Sequence, residues 1–86
     1  MIGPAQIRAA RALLDINQTK LSEWASISVA TLKRIESASE IRGAADTLWK
    51  IQQALEAAGV EFISEEAGRG SGVRFKRARG SELSSS

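Results

Sequence analysis

The sequence predicts a mainly α fold: a compact four-helix bundle, with room for a fifth helix, followed by a C-terminal β-hairpin. Three observations predict it. Apolar residues recur at spacings of three and four as far as Ala58, good helix-capping residues stand where those segments begin, and beyond Gly59 the apolar period falls to two. The 86 residues are 43% hydrophobic, with two Trp and two Phe, which fills one core and no second. A chain so near the lower size for independent stability is expected to associate with a second copy of itself.

Each element has its own warrant. Gly3 is a modest cap and Pro4 suits a first helical position, opening the segment AQIRAARALLD, in which Ile7, Ala10 and Leu14 form a stripe. Asp15 and Ile16 make a brief connector. Asn17 is placed as the N-cap of a second helix, from about Gln18 to Ala25, that buries Leu21 and Ala25. Ser26 and Ile27 form a turn with Ile27 as its apolar plug, and Ser28 caps a third helix. At about 100° per residue, Leu32 and Ile35 of that helix point inward, flanked by Ser28 and Glu36. Ala30, Lys33, Arg34 and Ser37 fall on the opposite face, with Val29 at its edge.

SASEIRGAAD is expected to be a loop, and TLWKIQQALEAAG a fourth helix that closes the core with Leu48, Ile51 and Leu55 and stops at Gly59. The strand-like runs VEFI and VRFK follow, separated by EEAGRGSG, which is expected to be a flexible loop. A two-stranded hairpin is marginal alone. Val60, Phe62, Val73 and Phe75 must therefore cover the helices or pair with the same strands of another subunit. The second arrangement makes them, with Trp49, the expected dimer interface. RARGSELSSS lacks apolar periodicity and is expected to be disordered. The chain thus divides into a helical bundle at 1–59, a hairpin at 60–76 and a basic, Ser-rich tail at 77–86.

Composition narrows the chemistry. The chain has no Cys and no His, which removes thiolate nucleophiles, His-based acid–base catalysis, disulfides and the usual zinc ligands. No enzyme, cofactor or metal is expected. AGRGSG lacks the Lys-Ser/Thr and the strand-to-helix setting of a phosphate loop. No apolar run reaches the length of a membrane span and the first residues do not read as a secretory signal, so a cytoplasmic protein without a membrane partner is expected. Net charge is only +2, yet Arg69, Arg74, Lys76, Arg77 and Arg79 crowd between Gly68 and Gly80 with no acid among them. That run suits phosphate contact, and equally a solvated tail.

The stretch NQTKLSEWASISVATLKRIE, from Asn17 to Glu36, reads as two short amphipathic helices about a tight turn. The second presents small residues near its start and two cations further on. A backbone so bared approaches base edges closely while Lys33 and Arg34 reach guanine or phosphate, although a merely solvated helix face has the same composition.

The run from Arg11 to Glu36 resembles the Cro/phage-repressor (XRE-type) helix-turn-helix family, and LEAAGVEFI is similar to the following segment in small bacterial regulators of that family. The likeness covers roughly residues 4–63. It implies a helical bundle that binds double-stranded operator DNA as a homodimer, usually as a repressor, and is nucleoid-associated when bound. It implies that Gln18 contacts the DNA backbone and braces the third helix, and that Ser28, Val29, Ala30, Lys33 and Arg34 face the major groove; Thr19, Thr31 and Ser37 join them as candidate DNA-binding residues. Arg11 and Glu36 match a structural salt bridge between the first helix and the end of the third.

Two departures accompany the likeness. Ser26 stands where the family has Gly, so it must adopt a positive φ at a cost of about 1 kcal/mol or alter the turn. Val29 and Ala30 replace hydrogen-bonding side chains, which leaves thymine methyls as their natural contacts and most polar base contacts to Arg34 and Lys33. Trp24, three residues after Leu21, is expected at the rim of the core, and Trp49 lies off the main apolar stripe of its helix; they either pack on neighbouring elements or form a partner surface, Trp49 being the better dimer candidate. If they serve a protein partner, the same bundle is an interaction module such as an antitoxin or anti-activator.

Overall fold

The computed structural model describes residues 2–37 and 45–77. In chain order these form α1 (Pro4–Leu14), α2 (Gln18–Ala25), α3 (Val29–Ser37), α4 (Ala45–Ala57), β1 (Val60–Ile63) and β2 (Gly72–Phe75). The expected fold class is present: four helices among the described residues and a C-terminal antiparallel hairpin. Most of the expected loop after Ser37, and the expected tail beyond Arg77 together with Arg79, lie outside the described residues. α4 begins at Ala45, two residues earlier than Thr47, where the expected loop ended. Ala is the best helix former, and Asp46 in the first turn is favoured by the positive end of the helix dipole.

The core is built from one stripe per helix. Ile7 and Ala10 of α1, Leu21 and Ala25 of α2, Leu32 and Ile35 of α3, and Leu48, Ile51 and Leu55 of α4 are buried together. Ile2 joins them, standing just before the α1 cap in the position of a hydrophobic staple against Ile7. That residue was not anticipated, because a lone Ile ahead of a helix carries no periodicity.

α1 and α2 end in the same way. Asp15 and Ser26 sit in the left-handed region, at φ 55° and 58°. In each case two backbone bonds close the helix: Ile16 N–H to Arg11 C=O at 3.1 Å with Asp15 N–H to Ala12 C=O at 3.2 Å, and Ile27 N–H to Ser22 C=O at 3.0 Å with Ser26 N–H to Glu23 C=O at 3.3 Å. This is the Schellman pattern, and the residue after each left-handed position, Ile16 or Ile27, packs on the core. The next residue in each case caps the following helix. Asn17 Oδ1 accepts from Lys20 N–H at 2.8 Å, and Ser28 Oγ accepts from Thr31 N–H at 3.0 Å. Ser26 therefore takes the strained conformation instead of changing the turn.

The hairpin pairs Val60 with Phe75, Glu61 with Arg74, Phe62 with Val73 and Ile63 with Gly72. Its apolar face folds onto the helices of the same chain. Val60 is fully buried in the core, and Phe62 and Val73 pack against it. The expectation that Val60 meets a second subunit is therefore corrected: its side chain is enclosed, and the apolar period of β1 is spent on the bundle. Phe75 is half-buried beside Val60 in the register. EEAGRGSG contains a defined turn. Glu66 and Arg69 exchange backbone bonds of 3.2 and 2.8 Å about Ala67 and Gly68, both at positive φ, the pattern of a type I′ turn.

Gln6 ties the hairpin to the bundle. Its Oε1 accepts from Gly3 N–H at 2.9 Å, while Nε2 donates to the carbonyls of Ile63 at 3.2 Å and Gly72 at 3.0 Å, where the two strands open into the loop. At the other end of the hairpin, Lys76 N–H donates to Gly59 C=O at 2.9 Å and Lys76 Nζ to Glu56 C=O at 2.7 Å. Replacing Gln6 by Ala frees both strand carbonyls. The expected cost is about 1–2 kcal/mol in urea denaturation, with faster hydrogen exchange in β1 and β2 than in α2 and α3.

Candidate nucleic-acid interface

The α2–turn–α3 unit is fixed to α1 through Glu36, which is 3% exposed at the end of α3. Arg11 meets its carboxylate in two places, Nε to Oε2 and Nη2 to Oε1, each at 2.8 Å. Gln18 Nε2 donates to Oε1 at 3.2 Å from the first residue of α2. Arg8 donates to the Glu36 backbone carbonyl, and Arg11 Nη1 to the Ile16 carbonyl at 3.3 Å. Three helices thus converge on one carboxylate. The hydrogen bond to Glu36 raises the Arg11 pKa above its ordinary value; partial burial opposes that rise and the carboxylate's charge adds to it.

Anchoring one side of α3 leaves the other free. Leu32, Ile35 and Glu36 are buried, whereas Ala30, Lys33, Arg34 and Ser37 are exposed and Val29 and Thr31 are half-buried at the edges. Neither Lys33 nor Arg34 has an ion-pair partner among the described residues. Ser28 is exposed, and its hydroxyl donates to Thr31 Oγ1 at 2.8 Å while accepting from the Thr31 amide. At the start of α2, Gln18 is half-buried and Thr19 and Lys20 are exposed. The asparagine cap takes the Lys20 amide, and the amides of Gln18 and Thr19 before it lack an intrahelical acceptor, as at any helix N-terminus. All nine candidate groove and backbone residues therefore belong to α2, α3 or the cap between them.

The other candidates distribute differently. Trp49 is 62% exposed on α4, and Trp24 is 44% exposed beside Ala54, Ala57 and Ala58, with which it lines a shallow groove. Neither is enclosed by the hairpin or by neighbouring helices. The basic C-terminal run is partly committed within the fold. Arg74 Nη2 pairs with Glu61 at 2.7 Å across the strands, and the Lys76 ammonium caps the end of α4. Sequence reasoning missed the contacts of Arg8 and Gln6: each depends on a backbone carbonyl far along the chain, and no local pattern points to such an acceptor. Ser22 was missed too; it is buried because its hydroxyl is satisfied by Thr19 C=O at 2.8 Å.

Among the described residues, no group of three or more His, Cys, Asp or Glu side chains is placed to hold a metal, and no helix is long and apolar enough to cross a membrane. The chain matches no protein-family model, and no curated protein matches it.

The Glu36 cluster supplies a direct test of how α3 is held. Arg11→Met leaves a buried carboxylate with Gln18 alone and is expected to cost about 3 kcal/mol in urea denaturation. Adding Glu36→Leu removes the unpaired charge and should recover part of that loss, whereas a double variant less stable than Arg11→Met would contradict the assignment.

Proposed function

We propose that this chain is a sequence-specific DNA-binding transcriptional regulator of the Cro/phage-repressor type, which places α3 in the major groove. The observation that carries the reading is the division of α3 itself. Its inner side is held by Leu32, Ile35 and the Glu36 cluster, and its outer side offers Ala30, Lys33, Arg34 and Ser37 with no large apolar group in the way. A helix used only as scaffold has no need of two other helices fastening its end. The small side chain at Ala30 permits close approach to base edges, and Arg34 and Lys33 are the residue types that read guanine or hold phosphate.

Gln18 and Thr19 fit a backbone phosphate, because the N-terminus of α2 supplies free amides and the positive end of its dipole. Gln18 also donates to Glu36, so a phosphate contact there would couple backbone positioning to the seat of α3. As a homodimer, two copies of α3 would enter successive major grooves about 34 Å apart on a pseudo-palindromic operator. Repression by occluding polymerase is the simplest consequence.

With Val60 enclosed, the exposed Trp49 is the surface proposed for the second copy. Trp49→Gln keeps helix propensity and should shift the protein from dimer to monomer in analytical ultracentrifugation; unchanged sedimentation of a wild-type dimer would remove Trp49 from the interface.

The same two exposed tryptophans favour a second reading, a module that docks a protein partner as an antitoxin or anti-activator. Substitution separates the two. Under the DNA reading, Arg34→Ala weakens operator binding by about 1–3 kcal/mol with an unchanged circular-dichroism melt, and Gln18→Ala weakens binding to all duplexes more evenly. Under the partner reading, Arg34→Ala is silent.

A further inference from the structure

Resting on the DNA reading above, we propose that α3 reads a half-site in which a thymine and a guanine stand about two base-pair steps apart. The thymine is recognised by its methyl group, through Val29 and Ala30. The guanine is recognised through Arg34.

The argument starts from what the first turn of α3 has left to offer. Val29 and Ala30 carry no hydrogen-bonding side chain. Ser28, the polar residue beside them, is already engaged: its hydroxyl donates to Thr31 Oγ1 at 2.8 Å and accepts from the Thr31 amide at 3.0 Å. Turning it toward a base would uncap the helix. The start of α3 thus presents chiefly carbon, half-buried at Val29 and exposed at Ala30.

Carbon is selective in the major groove. The thymine C5-methyl is the one methyl group that the unmodified bases display there, while the other edges are donors and acceptors that lose water without gaining a partner against an apolar side chain. One turn further on, the chemistry reverses. Arg34 is exposed and free of ion pairs among the described residues, and its guanidinium matches guanine O6 and N7.

Spacing follows from geometry. Ala30 and Arg34, four residues apart, share one face of the helix, and with α3 lying along the groove their rise of about 6 Å matches about two steps of duplex at roughly 3.4 Å each. The two contacts are therefore tied to one another by the length of a single helical turn.

The test begins with selection of bound duplexes from a random pool by the full chain, followed by base-analogue substitution in the enriched site. The expected half-site holds a T and a G about two steps apart. Replacing that thymine by deoxyuridine should lower affinity about fourfold, the worth of one buried methyl-sized group. The deoxyuridine effect should vanish with Val29→Ala if Val29 makes the contact, or with Ala30→Gly if Ala30 does. Replacing the guanine by 7-deazaguanine should lower affinity roughly tenfold, an effect lost with Arg34→Ala. An enriched site that lacks this pair, or that ignores deoxyuridine, overturns the inference and leaves DNA reading intact. A pool from which no sequence is enriched overturns both.

Discussion

The carboxylate of Glu36 is the only charged side chain buried in the core among the described residues, and the position of α3 depends on it. A carboxylate taken out of water is tolerable only where donors replace its solvation. Here Arg11 supplies two hydrogen bonds and Gln18 a third, from helices that precede α3 in the chain. Such a pair contributes little net stability over an apolar substitute, but it admits few alternative packings. Leu32 and Ile35 alone would let α3 slide or rotate against α1 at small cost. A two-point guanidinium contact sets both the depth and the rotation of the helix, and rotation decides which residues face outward.

α1 is consequently the spine of the molecule, fastened at each end to a different part of the fold. Near its start Gln6 holds the mouth of the hairpin, and Arg8 and Arg11 hold the end of α3. The hairpin in turn closes the core through Val60 and is secured at its far end by Lys76. Two clasps on one helix make the packing of a small core cooperative. Two of the C-terminal cations also make local contacts, Arg74 with Glu61 and Lys76 with the end of α4.

Most of the helical architecture was legible because it rests on local rules. Pro4, Asn17, Ser28 and Gly59 mark boundaries through backbone chemistry that acts within a few residues, and the apolar stripes at Leu21, Leu32, Leu48 and Leu55 follow from helical periodicity. The candidate face on α3 was legible for the same reason: once Leu32 and Ile35 are inside, Ala30, Lys33 and Arg34 must be outside. The Arg11–Glu36 pair came through resemblance, since nothing local connects residues that far apart. The hairpin's seat was not legible. Alternating Val60 and Phe62 demand cover, yet the same pattern serves a bundle or a second subunit, and the deciding contact lies with Gln6. Ser26 showed its residue type but not its outcome, because the strain at φ 58° is offset by two backbone bonds and the packing of Ile27 on the core that only the folded turn provides.

The proposed binding of nucleic acid by one face of α3, with the start of α2, has a direct test. Titrating isotope-labelled protein with a duplex carrying the selected site, and following every backbone amide by NMR, tests it most directly. The largest shift changes are expected on Gln18, Thr19 and Ser28 through Ser37, with small changes around Trp24, Trp49 and the hairpin tip. Changes confined to Arg69 and Arg77, or absent from α3 at saturation, would contradict it.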